Sequence, residues 1–359
     1  MTVTTAAEHA EIRMMARELA QRELAPRAAA LDAGDEDAVH ECWRLLVELG
    51  LDRALLSEHH GGAGLGIPDL LVTIEELAVG DGGIAMSALL CNAALATLTG
   101  EQLAGIPAGT RWTLVPAASG TEVTISDGQL GGGIACALGA HDADGLVILL
   151  DGPAPAAWAL DTSTSGCEIE RDLAQMGLRA APAAAIELTG VSPAPALDGS
   201  DSRTDGESAQ LGAAGALALL RAGTATIAHG IARRAYEMAL EYAHARQQGG
   251  VAIIEHDAVS DMLAAMAVRL ACWPQIAPAL APALLAIEET QALAAKIAAT
   301  DAAVASTTDA VQVFGGTGYM VETGIEKLMR DAKYCQLFPE PNWVAQDELM
   351  RSERAGCAV

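Results

Sequence analysis

Hydrophobic side chains recur at helical spacing through the first hundred residues of the chain. Ile12, Met15, Leu19 and Leu24 lie at roughly the intervals that place side chains on one face of a helix. Pro26 is expected to kink this helix or to end it early, because proline has no amide hydrogen to donate. Similar patterns follow along the chain. Helices are predicted over residues 8–31, 42–49, 69–79 and 84–98.

The pattern changes near residue 110 to short apolar runs that contain β-branched residues. Glycine, proline, aspartate and serine separate these runs, which is typical of strands joined by tight turns. Together they predict a small antiparallel β domain, followed by a polar linker over residues 192–205. The predicted strands lie at residues 112–115, 122–126, 146–150 and 184–188.

From about residue 207 the helical pattern returns and the helices become long. Three or four antiparallel helices of this kind form a bundle. The predicted fold class is therefore α+β, with a helical domain at 1–109, a β domain at 110–205 and a helical bundle at 206–359. The long helices are predicted over residues 208–248, 256–271 and 284–313.

Composition and charge narrow the possible functions. Hydrophobic residues make up 51% of the chain and aromatic residues only 3%, so alanine and leucine must fill a large folded core. The formal net charge of −26 argues against a nucleic-acid-binding surface, since phosphate binding needs clustered lysine and arginine. The most apolar run, residues 276–287, is short and interrupted by Pro278 and Pro282, so no membrane span is expected.

The seven cysteines are scattered, and none has the spacing of a metal-binding pair. An odd number of dispersed cysteines fits reduced thiols in a cytosol better than a disulfide framework or a zinc site. The polar N-terminus resembles neither a signal peptide nor a transit peptide. A cytoplasmic protein without a bound metal is therefore expected.

The segment from Val311 to Glu340 holds the candidate chemistry. A glycine-rich turn, residues 314–319, interrupts a helical pattern, and glycine lets a backbone approach a ligand closely because it has no Cβ. A short amphipathic stretch leads from there into Pro339-Glu340-Pro341. A carboxylate beyond such a turn suits a general base, which makes Glu340 the candidate.

Several motifs together resemble the acyl-CoA dehydrogenase family of flavoproteins, over nearly the whole chain. The most specific is VQVFGGTGYMVETGIEKLMRDAKYCQLF, residues 311–338, followed by AHGIARRAYEMALEYAHARQQGG, residues 228–250. Members of this family bind FAD and desaturate an acyl thioester. The resemblance implies an acyl-CoA or acyl-carrier-protein substrate, an electron-transfer acceptor, and a homodimer or homotetramer.

The resemblance also implies cofactor-binding residues. Arg246 corresponds to an arginine that contacts the FAD phosphate across the dimer interface, and Gln312, Gly315 and Gly316 correspond to the turn that contacts the cofactor. The alternatives are a helix-end arginine bound to carbonyl groups and an ordinary helix C-cap. Two further flavin contacts are suggested in the β domain, at Ser119 and Thr121. A salt-bridge cluster is the expected role of Arg330, Asp331 and Lys333.

The catalytic base is the point at which the chain departs from the family. Pro339 stands where the family has its glutamate, and Glu340 follows directly. Because proline cannot abstract a proton, a one-residue shift makes Glu340 the predicted base; the alternative is an exposed loop acid. Leu220 occupies the other position at which some members carry the glutamate, which excludes that location.

Three functions follow from these observations. The first is FAD-dependent α,β-desaturation of an acyl thioester, with Glu340 removing the α-proton while a hydride passes to the flavin. The second is a catalytically silent subunit that supports an active partner, suggested by Pro339 and by Gly249, which stands where the family motif has phenylalanine. The third is a flavin-dependent monooxygenase or oxidase on the same fold.

Overall fold

The structure is a computed structural model of the 359-residue chain. The residues described below are 6–116, 122–150, 156–170, 173–197, 203–204, 209–286 and 289–356. Ser119, Thr121 and part of the linker predicted at 192–205, namely residues 198–202 and 205, lie outside these ranges.

Helices form the N-terminal region, as predicted. A turn of π-helix and a turn of 3-10 helix containing Pro26 separate the first two α-helices, so the predicted helix over residues 8–31 is interrupted there. Gly50, at φ 68°, ends the third helix in the left-handed conformation. The helices are α1 Ala6–Leu19, α2 Ala28–Ala33, α3 Glu36–Glu48, α4 Ile67–Gly80, α5 Gly82–Leu95 and α6 Gly100–Ala104.

The central region contains two four-stranded sheets. The strands are β1 Trp112–Val115, β2 Thr124–Ser126, β3 Gln129–Ala137, β4 Gly145–Leu150, β5 Ala156–Asp161, β6 Cys167–Glu170, β7 Ala184–Val191 and β8 Ala194–Pro195. One sheet has the order β1-β4-β5-β8 and the other β2-β3-β7-β6. Four two-residue strands follow in the chain: β9 Arg203–Thr204, β10 Ala209–Gln210, β11 Gln247–Gln248 and β12 Val251–Ala252.

Two features of these sheets differ from the prediction. β1 pairs with β4 in parallel, because the chain leaves β1 to build β2 and β3 in the other sheet before it returns. The remaining pairs in both four-stranded sheets are antiparallel. The strands β3, β5 and β6 were not predicted, and β8 lies in the segment predicted as a linker. In β3 the three consecutive glycines at 131–133 weaken the strand pattern, since glycine has low strand propensity.

Long helices form the C-terminal region. The first of them, Ala213–Ala245, lies at its centre and packs against α4, α5 and the next three helices of the chain. The second long helix of this region, Asp257–Ala286, was predicted to end at residue 271, yet it continues through Pro274, Pro278 and Pro282. No helix in the described ranges combines the length and apolarity needed to cross a membrane. The helices are α7 Ala213–Ala245, α8 Asp257–Ala286, α9 Glu289–Phe314, α10 Ile325–Cys335 and α11 Asn342–Gly356.

Leucine and alanine fill the main core, which joins the N-terminal helices to the C-terminal bundle. A smaller core lies between the two sheets. Where helices cross, their backbones approach closely, so few large aromatic side chains are needed to fill the space between them. A Cβ added to Gly230 of α7 would lie 2.5 Å from the carbonyl oxygen of Glu75 in α4. Alanine-rich helices can approach closely in this way because their side chains are small.

Candidate active site

Stacked aromatic rings bring the ends of α7 and α9 together. The ring centroids of Tyr242 and Phe314 are 4.2 Å apart with an interplanar angle of 13°. The Tyr242 hydroxyl lies 3.3 Å from the hydroxyl oxygen of Thr317. Arg246 comes one turn after Tyr242, and the glycine turn begins directly after Phe314. Two parts of the predicted cofactor site therefore lie at the same end of the bundle.

Arg246 presents its side chain to the outside of the chain. Its backbone amide donates to the Tyr242 carbonyl and closes α7, while the residue itself is extended and exposed. Within the described ranges the guanidinium has no hydrogen-bond partner. A role in binding helix-end carbonyls, the alternative raised from the sequence, is not observed there. A planar fork of donors is thus available to an external acceptor.

The glycine turn is a short 3-10 helix, Gly315–Tyr319, that follows α9. Gly315 has φ 61°, the left-handed conformation of a helix end, so the C-cap interpretation applies to this residue. Gly316 does not have a left-handed φ angle, and a Cβ added to it would meet nothing within 4 Å. The chain's own conformation and contacts therefore do not account for glycine at Gly316. Gln312, one turn earlier, is also exposed.

Glu340 lies in the segment between α10 and α11 and is buried, with 7% of its surface exposed. Its carboxylate oxygens are 3.2 and 3.4 Å from Nε of Arg221, which α7 contributes. Arg221 is itself only 2% exposed, and its Nη2 donates to both carboxylate oxygens of Glu348, at 2.9 and 2.8 Å. The description of Glu340 as an exposed loop acid is therefore wrong.

Lys296 of α9 holds the backbone of the same segment. Its side chain is fully buried, and Nζ donates to the carbonyl oxygen of Glu340 at 2.5 Å and to Oδ1 of Asn342 at 2.7 Å. A third bond, of 3.3 Å, reaches the carbonyl oxygen of Gln336. Burial lowers the pKa of Lys296 to about 8, because a charged ammonium loses its hydration there.

Sequence reasoning missed the roles of Lys296, Arg221 and Glu348. One signal was present for Lys296, since it stands among the apolar positions of an alanine-rich helix, next to the buried Leu293 and Ala299. A lysine on such a face needs buried acceptors. Glu340 and Glu348, which Arg221 binds, are more than a hundred residues away in the chain, so no local pattern indicates these two contacts.

The charged cluster of α10 is structural, as expected for Arg330 and Asp331. Arg330 donates to both carboxylate oxygens of Asp32 and to Glu326. Asp331 is fully buried and accepts from Lys327 and from the backbone amide of Leu178. Lys333 does not join this cluster; it is exposed and donates to Gln336.

Histidine and cysteine do not form a metal centre in the described parts of the chain. No group of three or more histidine, cysteine, aspartate or glutamate residues there is arranged to hold a metal ion. His59 and His60 lie with their rings nearly perpendicular, and His229 stacks on Trp273 inside the bundle. The six cysteines in these ranges are all free thiols.

Comparison with known proteins places this chain in a family. The model "Acyl-CoA dehydrogenase, N-terminal domain" matches residues 6–105, and "Acyl-CoA dehydrogenase, C-terminal domain" matches residues 212–339. Together the two models span more than half of the chain. The protein therefore belongs to the acyl-CoA dehydrogenase family, a class of flavin-dependent oxidoreductases that act on CH–CH bonds.

Individual relatives agree with this assignment. The chain is 29% identical to cyclohex-1-ene-1-carbonyl-CoA dehydrogenase of Syntrophus aciditrophicus, over 92% of this chain and 86% of that protein. It is 28% identical to the protein of the same name from Geobacter metallireducens, over 92% and 94%. The solved structure of butyryl-CoA dehydrogenase from Megasphaera elsdenii has the same fold, with a TM-score of 0.81 at 22% identity and coverage of 98% and 99%.

The residues at the end of the bundle fit a flavin dinucleotide. The exposed guanidinium of Arg246 is the donor type that pairs with a diphosphate, and the open backbone at Gly315 and Gly316 leaves room for a ligand to approach. Because the chain carries a net charge of −26, such a group depends on local cations of this kind.

Proposed function

We propose that this protein is an FAD-dependent dehydrogenase that introduces an α,β double bond into an acyl thioester, with Glu340 as the general base. The observation that supports the proposal is the placement of Glu340. It is a buried carboxylate in the segment after α10, where the family carries its base, and both its side chain and its backbone are held in place.

The chemistry demands a base of this kind. The α-proton of a thioester is weakly acidic, so the base must be positioned and shielded from water. When bound, FAD supplies the hydride-accepting chemistry at the β-carbon. Glu340 takes the α-proton on its carboxylate, and Arg221 remains within hydrogen-bond distance of the same group. Lys296 fixes the backbone carbonyl of Glu340, which limits rotation of the segment.

Arg246, Gln312, Gly315 and Gly316 are the proposed FAD-binding residues. The outward direction of the Arg246 side chain suits a cofactor bound between subunits, so we propose a homodimer or homotetramer in which this end of the bundle meets a neighbouring copy. The proposed substrate is an acyl-CoA, as in the names of the curated relatives, or an acyl group on a carrier protein. Electrons then pass to a separate electron-transfer acceptor.

The test begins with the purified protein and its flavin spectrum. A panel of acyl-CoA and acyl-carrier-protein thioesters is added without oxygen, and bleaching of the flavin band is followed. Glu340→Gln is expected to slow flavin reduction by about 10²- to 10⁴-fold, the usual contribution of a positioned base. Glu322→Gln, which changes an exposed acid, is the control and should leave the rate unchanged. Purified protein without flavin, or full activity in Glu340→Gln, contradicts the proposal.

Arg246→Ala tests the cofactor site separately from the chemistry. Loss of a charge-assisted hydrogen bond is expected to weaken FAD binding by about ten- to a hundredfold, measured by titration of the apoprotein. Arg351→Ala removes an exposed arginine from α11 and serves as the matched control. Equal FAD affinity in the two variants excludes Arg246 from the cofactor site.

A catalytically silent subunit is the second candidate, favoured by the ion pair that engages the Glu340 carboxylate and by Pro339 at the family's base position. It predicts stable association with a second, different chain and no flavin reduction by any thioester in the panel. Co-purification distinguishes the two: a homo-oligomer with stoichiometric FAD supports the dehydrogenase.

A further inference from the structure

Arg221 is shared between two carboxylates, and it binds them unequally. Nη2 lies 2.8 and 2.9 Å from the two carboxylate oxygens of Glu348, whereas Nε lies 3.2 and 3.4 Å from those of Glu340. Glu348 comes from α11, and its side chain is 30% exposed, against 9% for Glu340. Of these two carboxylates, Glu348 therefore makes the shorter contacts with the guanidinium.

The contact of Arg221 with both carboxylates affects the free energy of protonating Glu340. A base that pairs with a buried arginine becomes neutral on protonation, which leaves the cation with one opposite charge fewer at a site where an unpaired charge is costly. Glu348 leaves Arg221 with a second carboxylate partner through that step, and the side chain of Glu348 is partly solvated. Protonation of Glu340 then costs less than it would beside an uncompensated arginine.

We propose that Glu348 is a positioning residue that acts through Arg221 to make Glu340 a stronger proton acceptor. The inference rests on the proposed function, because it assigns Glu348 a role in the same proton transfer. Glu348 neither touches the substrate nor carries the proton. It orients Arg221 and supplies the charge that remains when Glu340 is neutral.

Other titratable groups lie near Glu340 and Glu348, and their titration must be distinguished from that of the two carboxylates. Lys296 of α9 donates to the backbone of Glu340, and Asp301 and Cys335 lie in the electrostatic environment of Lys296. Burial lowers the pKa of Lys296 to about 8 and raises that of the Cys335 thiol. Below about pH 7 the lysine is protonated and the thiol neutral, so neither of them changes charge in the range where carboxylates titrate.

The direct test is the protonation of Glu340 followed by infrared spectroscopy, which requires no substrate. The carboxylic-acid band absent from Glu340→Gln identifies the residue. In Glu348→Gln the midpoint of this band is expected about one pH unit below the wild-type midpoint, since loss of the negative charge that shares Arg221 with Glu340 favours the ionised form of Glu340. Asp347→Asn removes the same charge from an exposed neighbouring position on α11 and should leave the midpoint unchanged.

Kinetics supply the second readout. The acid limb of the pH profile for flavin reduction should move in Glu348→Gln by the same amount as the infrared midpoint, with FAD content retained. An unchanged infrared midpoint in folded Glu348→Gln overturns the inference. If that variant does not fold, Glu348→Ala replaces it, with the same lowering of the midpoint expected because the charge is again removed; a wild-type midpoint in folded Glu348→Ala overturns the inference.

The two proposals fail separately. A wild-type protein that no thioester reduces refutes the dehydrogenase, while the infrared titration still reports whether Glu348 controls Glu340. If flavin reduction requires Glu340 but the Glu340 midpoint is unchanged in Glu348→Gln, only the role of Glu348 is refuted.

Discussion

At the scale of single residues, burial changes the proton affinity of Lys296. Its pKa is lowered to about 8, against an ordinary value of 10.5, so the folded chain binds this proton more weakly than the unfolded chain does. Below about pH 8 the charged, buried form opposes folding to its full extent. That cost is relieved as the pH rises from about 8 towards 10.5, because the unfolded chain then holds more protons than the folded one.

Lys296→Met measures this effect. The unfolding free energy of wild type, relative to that of Lys296→Met, is expected to increase by up to about 3 kcal/mol between pH 8 and pH 10.5. Urea unfolding at a series of pH values supplies the comparison. Lys333→Met, at an exposed position two residues after the buried Asp331, is the control and should show no such trend. A flat difference between wild type and Lys296→Met would show that the lysine is not desolvated.

At the scale of elements, the crossing of α4 and α7 depends on the absence of a side chain at Gly230. An added Cβ would lie 2.5 Å from the Glu75 carbonyl oxygen and 2.8 Å from the Ala78 Cβ. Neither neighbour is the flexible end of a side chain, so the helices themselves must move. Overpacking of this kind costs about 1–3 kcal/mol.

Gly230→Ala is therefore expected to lower the unfolding free energy, even though alanine is favoured over glycine inside an isolated helix by about 1 kcal/mol. Gly100→Ala is the control, since a Cβ there would meet only Nε2 of His60, at 3.9 Å. Thermal unfolding of Gly230→Ala and Gly100→Ala, compared with wild type, measures the two changes in stability. A Gly230→Ala protein as stable as wild type would mean that the α4–α7 crossing can accommodate a methyl group at this position.

At the scale of the whole molecule, a buried ionic cluster joins the three regions. Lys327 of α10 contacts Asp81, which caps α5, at 2.9 Å and Asp331 at 2.5 Å. Asp331 also accepts from the amide of Leu178, which leads from β6 to β7, at 2.6 Å. Burial raises the pKa of Asp331, while the charge of Lys327 acts against that change. The cluster thus holds the N-terminal helices, the sheets and the bundle in one arrangement.

Asp331→Asn is expected to destabilise the protein by about 3 kcal/mol, because Lys327 loses one of its buried partners. Asp309→Asn breaks a half-exposed pair with Arg269 and should cost no more than about 1 kcal/mol. Denaturant unfolding of the two variants, compared with wild type, measures the difference. Equal losses in both would contradict a joining role for Asp331.

The fold was predictable where neighbouring residues carry the signal. Helical periodicity located the helices around α1, α4, α5 and α9, and Gly50 ended α3 through its own stereochemistry. β3 escaped prediction because consecutive glycines lack the side chains that mark a strand. The resemblance to a family likewise depended on continuous motifs, of which residues 311–338 form the most specific.

The sequence by itself determined the order of helices, strands and bundle, because backbone propensity and the spacing of apolar side chains act over a few residues. It also indicated the glycine turn and Arg246, which lie in continuous motifs. Only the tertiary structure decided the parallel pairing of β1 with β4 and the surroundings of Glu340. Arg221 lies 119 residues from Glu340 and 127 from Glu348, so their electrostatic coupling exists only once α7, α10 and α11 are packed together.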